Sequence, residues 1–173
     1  MRLYFSLLMI FLITACGFKP MYSTSFDSES DYSLSEIRIA HLKSEQSYKL
    51  RNYLEDELDP NGVSAEKFFD LSIDVVDSIS GLLVQKDSTI TTKQHNIIAN
   101  YNLKENSSGK VIDKGIIKFS VSFSELPSEY ATYALDKRTY DNSLQELAST
   151  LKKRLIIALV KYQKTLKHEN KLS

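Results

Sequence analysis

The 173-residue sequence sets 22 lysines and arginines against 22 aspartates and glutamates and holds one cysteine. A lone cysteine excludes an intramolecular disulfide, so packing must hold the fold, and the length suffices for a single domain with a sizeable core. Charge is unevenly spread: residues 17–77 carry 13 acidic and 6 basic side chains, residues 78–173 carry 9 and 15. Either the two parts neutralise each other in the fold, or a basic face awaits an anionic partner. We expect no nucleic-acid partner.

Arg2 precedes an apolar run over residues 3–13, too short to span a bilayer, and Ile13-Thr14-Ala15-Cys16 closes it. A branched apolar residue, a tolerant position and a small residue before cysteine form the bacterial lipoprotein pattern. The Cys16 thiol then takes diacylglycerol, the chain is cut before it, and the new amino terminus is acylated. Each buried CH₂ contributes about 0.8 kcal/mol, and two chains already give stable anchoring. We expect a signal peptide over 1–15 and a membrane held through lipidated Cys16, with no metal or cofactor. Gly17, where an aspartate would favour retention at the inner membrane, favours export to the outer membrane, periplasmic side. An ordinary cleaved signal peptide or a short membrane anchor is the alternative.

Residues 16–35 read as a tether without periodicity, and residues 36–168 as one domain followed by a tail over 169–173. Residues 36–42 alternate and predict a strand. Ser44 stands at an N-cap position, and Leu50, Tyr53, Leu54 and Leu58 follow at helical spacing, with Arg51 and Glu55 paired on the wet side. Asp59-Pro60-Asn61-Gly62 stops that helix. Phe69, Leu71, Ile73 and Val75 alternate with polar residues; the phase slips at Val75-Val76 and Ile79, Gly81 and Leu83 resume it unevenly, which predicts a bulge or bend. Residues 85–94, polar and rich in threonine and lysine, predict a hairpin tip reaching beyond the sheet. Two more strands follow, one through Ile97, Ala99, Tyr101 and Leu103, the other through Ile117, Phe119, Val121 and Phe123. From Tyr140 to Leu166 a one-sided stripe spaced by three and four predicts a helix lying on the sheet. The expected fold is α+β: a two-layer sandwich of a four-stranded, mainly antiparallel sheet and two helices, in the order β-α-β-β-β-α.

Catalytic constellations are scarce. The sequence contains no G-x-S-x-G elbow, Gly-rich phosphate loop or H-E-x-x-H. His41 reads as a strand residue, His95 as a hairpin residue and His168 as a helix-end cation. Asp70 and Asp74 share a strand face like a carboxylate pair, but on a half-exposed strand such groups mostly solvate. We expect no enzyme.

Cys16-Gly17-Phe18-Lys19-Pro20-Met21-Tyr22 resembles the C-G-F-x-P-L-Y opening of the alphaproteobacterial lipopolysaccharide-assembly lipoproteins of the LptE family. Ser128-Glu129-Tyr130-Ala131, then Leu144-Gln145-Glu146-Leu147-Ala148 and Lys153-Arg154-Leu155, resemble that family's S-x-Y-A motif and the helix after it. The resemblance implies a lipoprotein that plugs the LptD β-barrel, supports its assembly and helps lipopolysaccharide reach the outer leaflet. A plug for a wide barrel should be polar outside, because the lumen is polar. Lipid A phosphates would meet lysine or arginine, and Lys86 and Lys93, near the expected hairpin tip, are the candidates by position, against solvated lysines as the plainer reading. Another outer-membrane assembly lipoprotein, a barrel-assembly or secretin-pilot subunit without a role in lipopolysaccharide transport, is the alternative.

Overall fold

A computed structural model describes residues 33–172 apart from 41, 43, 61, 63–65 and 85–89. The signal peptide, Cys16, most of the tether, His41 and Lys86 lie outside the described residues. A 3₁₀ turn, Leu34–Glu36, leads into β1, Ile37–Ile39, and α1 spans Glu45–Leu58. Three long strands follow, β2 over Phe69–Val84, β3 over Ile90–Glu105 and β4 over Val111–Ser124, and α2 runs unbroken over Glu129–Leu172. The sheet order is β1-β2-β3-β4, with β1 parallel to β2 and the other pairs antiparallel. Both helices lie on one face. The expected α+β sandwich and its element order are what the structure shows.

Each element follows from local chemistry. The Ser44 hydroxyl accepts from the Ser47 amide at 3.2 Å and caps α1. Arg51 and Glu55 meet at 2.6 Å one turn apart. Gly109 takes a φ of 69° in the turn between β3 and β4, a conformation glycine adopts without steric cost. The Ser128 hydroxyl and carbonyl accept from the Ala131 and Thr132 amides, so the Ser-Glu-Tyr-Ala motif is the start of α2.

The core lies between the helices and the sheet. Phe69, Leu71, Ile97 and Leu103 on the strands meet Leu144, Leu147, Leu151, Leu155 and Leu159 on α2, while α1 adds Leu50, Leu54 and Leu58. Helix and strand also advance in step. Tyr140 packs at a tilt against His95 with ring centroids 5.3 Å apart, and the Tyr162 hydroxyl donates to Glu105 at 2.8 Å. Twenty-two helical residues at 1.5 Å each and ten strand residues at 3.3 Å each both cover about 33 Å, so α2 lies along β3 without slippage.

Three expectations need refining. The expected bulge is present, but at the Gly81 and Leu83 end of that stretch: β2 and β3 stay in register at Val75-Val76, and the shifts occur around Gly81, Leu83 and Val84. The apolar pair arises because Val75 faces the core while Val76 sits on the helix-free face, 53% exposed. The tip is also shorter than residues 85–94, because β3 begins at Ile90; Lys93 and His95 are therefore strand residues. The first strand, expected over 36–42, is only three residues long, although Ala40 still donates to the Leu71 carbonyl.

Candidate interaction surfaces

The two helices cover different lengths of the sheet. The cap of α1 ends against Val75, whose amide donates to the Ser47 hydroxyl at 3.2 Å. Beyond Val75, α2 is the helix over the sheet. This distal end carries the end of β2, the beginning of β3, the end of β4 and the start of α2.

At the boundary lies a polar cluster centred on His95, only 3% exposed. Its Nδ1 is 3.2 Å from both Asp77 oxygens on β2, and its Nε2 is 2.5 Å from Asp136 Oδ1 on α2. Phe123 stacks on one side of the ring at a 5.5 Å centroid distance, and Tyr140 packs against it. Burial first, then the Asp77 charge, pushes the Tyr140 phenol up to about 12. Lys49 Nζ lies 5.8 Å from the Tyr140 ring centroid. The cluster joins β2, β3 and α2 and offers no nucleophile beside its imidazole. Its residues are 18 and 41 positions apart in sequence, too far for a local pattern to link them. The alternation His95, Ile97, Ala99 could have shown that His95 keeps the core phase.

Further out, the surface turns aromatic and aliphatic. Tyr130, 81% exposed, and Tyr133 share this end with Leu126, Ile79 and Leu82. Lys93 pairs with Glu125 at 2.5 Å, each partly exposed, so this candidate phosphate contact already has a carboxylate partner. Asp70, expected only to solvate, takes a two-pronged contact from Arg38 at 2.6 and 2.8 Å. His168 lies exposed near the end of α2.

The helix-free face of the sheet is a second surface. Among the described residues no helix or strand packs on it. Asn96 donates to Ser80 at 3.2 Å and accepts from Ser120 at 3.0 Å, a side-chain ladder across three strands. Val76 opposes Ile98, and Ile116 lies diagonally beyond it, so a narrow aliphatic row crosses an otherwise serine- and asparagine-rich face. Among the described residues no helix is long and apolar enough to cross a membrane, and no group of three His, Cys, Asp or Glu side chains could hold a metal ion.

Several solved structures similar to this chain are described as lipoproteins. The chain is similar to a Caulobacter crescentus protein designated a lipoprotein, with a TM-score of 0.57, 18% identity, and coverage of 73% of this chain and 92% of that one. It is similar to rare lipoprotein B from Shewanella oneidensis, with a TM-score of 0.55, 12% identity, and coverage of 76% and 100%. A minor lipoprotein from Acinetobacter baumannii aligns with a TM-score of 0.54 at 13% identity over 73% and 94%. No protein-family model and no curated protein matches the chain. At these identities the likeness establishes the fold: a helix-backed four-stranded sheet shared with small bacterial lipoproteins.

Proposed function

We propose that the protein is an outer-membrane lipoprotein of LptE type, anchored through Cys16, whose domain sits in the lumen of an LptD-like β-barrel and assists lipopolysaccharide insertion. The observation that carries this reading is the common fold with rare lipoprotein B, which the chain aligns with over that protein's whole length. The Cys-Gly-Phe-Lys-Pro opening and the Ser-Glu-Tyr-Ala helix start agree with it. A polar sheet face with only a thin aliphatic row also suits a wet lumen better than a greasy pocket. Lipopolysaccharide phosphates would be met by Lys86, as expected from the sequence, and at the distal end by Lys93 once it leaves Glu125.

Solubilising membranes in mild detergent and capturing the chain tests this reading. An LptD-like barrel should co-purify with the wild type. Isolation of the chain with no such barrel would overturn the assignment. Glu125→Gln should strengthen lipopolysaccharide binding by releasing Lys93, and Lys86→Glu with Lys93→Glu should weaken it without loss of the barrel.

A further inference from the structure

We propose that the outer edge of β4 is a docking site for an extended acidic segment of a partner polypeptide, which adds to the sheet as a fifth long strand. β4 is the last strand of the sheet, and among the described residues no strand pairs with its outer side. The direction of its backbone groups follows from the ladder. The Leu71 carbonyl faces β1, so alternation through β2 and β3 turns the even-numbered residues of β4 outward. Arg154 confirms this independently, since its guanidinium donates to the Ile116 carbonyl at 3.4 Å from the α2 side. Lys114, Lys118, Ser120 and Ser122 therefore present backbone donors and acceptors, and Ile116 its amide, along an edge with no register shift; an incoming strand would take the Ile116 carbonyl from Arg154.

The other edge of the sheet is handled differently. β1 covers it at Phe69–Leu71, Ser44 and Ser47 cap Val75, and the strand becomes irregular at Gly81. Such devices blunt an edge. On β4 the devices are the Arg154 guanidinium on the Ile116 carbonyl, a long contact at 3.4 Å, and lysine at positions 114 and 118. Lysine repels basic strands but attracts a strand carrying carboxylates at the opposed positions. It also disfavours a second copy of this chain. An antiparallel β4–β4 pair centred on Ile116 would set Lys114 against Lys118 of the other copy.

The apolar neighbours complete the pattern. Ile116 ends the aliphatic row of the helix-free face at this edge, half exposed. Ile157, one turn along α2 from Arg154, is 65% exposed. An incoming strand with acid, aliphatic, acid on the helix-free face would meet Lys114, Ile116 and Lys118. Its alternate residues, lying beneath α2, would be aliphatic.

The test uses the full chain in detergent and two labelled peptides, Thr-Glu-Val-Ile-Val-Glu-Thr and its counterpart with lysine for glutamate. Binding is read by fluorescence anisotropy and the site by amide hydrogen exchange. The acidic peptide should bind and slow exchange at Ile116, Lys118 and Ser120, and the basic peptide should not. Lys118→Glu should weaken the acidic peptide about three- to tenfold and admit the basic one. Ser120→Pro removes an outward amide that β3 does not use and one exposed hydroxyl contact to Asn96, so it should keep a cooperative melting transition and lose the protection. Equal binding of both peptides, protection at Asp77 and Ile79 instead of β4, or dimerisation of the chain through β4 would overturn the proposal.

Discussion

Asp136, in the second turn of α2, lies 2.5 Å from the Nε2 of His95 at the middle of β3. This contact ties the distal end of the helix to the sheet, where the neighbouring aromatic residues Tyr130 and Tyr133 are exposed and contribute little to the core. Asp136→Ala leaves a buried imidazole nitrogen without its partner. It should lower stability by about 1–3 kcal/mol, the cost of an unsatisfied buried group. Denaturant unfolding checks the magnitude. Exchange in the first turns of α2 should rise more than exchange near Tyr162, and a uniform rise along the helix would show that the contact is not a local tie.

Ser47 is fully buried and accepts from the Val75 amide, filling the place where β1 has already ended. Ser47→Ala should cost about 1–3 kcal/mol, because the amide of a strand edge under a helix loses its acceptor. The Val75 amide should exchange faster in this variant, while Leu71, still paired with β1, keeps its protection. Unchanged exchange at Val75 would mean that the serine does not protect this edge.

Leu151 lies at the centre of the helix-on-sheet interface, fully buried. Leu151→Ala should cost about 2–5 kcal/mol, the range for large-to-small core changes. A loss below about 0.5 kcal/mol, typical of surface positions, would contradict the facing of α2.

Tyr140 gives the fold an alkaline limit. Its phenol is pushed up to about 12 from an ordinary value near 10 by burial and by the charges of Asp77, Asp141 and Glu45. Between those values the folded chain holds a proton that the unfolded chain has lost. The contribution is therefore complete below pH 10 and disappears as pH rises towards 12. The melting temperature should fall across that window, and Tyr140→Phe should flatten this part of the profile. The same steepness in both proteins would place the alkaline transition elsewhere.

What the sequence revealed depended on how local each cause was. The alternation from Phe69 to Val75 and the stripe from Tyr140 to Tyr162 follow directly from one-sided burial, and both appear in the structure as core faces. The cap at Ser44 was equally readable, because the hydroxyl and the amide it accepts from are three residues apart. Val76 misled because an aliphatic residue on an exposed sheet face looks in sequence like a break in phase. His95 misled for the opposite reason. It follows a polar run that reads as a loop, and its burial comes from Asp77, Phe123 and Asp136, brought together only by strand pairing and helix return. The free edge of β4 has no sequence signature, since edge position is a property of the sheet order.

The proposed place of the domain inside a barrel lumen is tested most directly by photo-crosslinking from the helix-free face. A photoreactive phenylalanine analogue at Ile98 keeps the helix side of the sheet untouched, because Ile98 is exposed on the opposite face. Irradiation of intact membranes should give one dominant product, a conjugate with an LptD-like barrel whose electrophoretic migration changes on heating as a folded barrel's does. A conjugate with a protein that is not a barrel, or no conjugate from Ile98 while the lipidated chain is present in the outer membrane, would contradict the account.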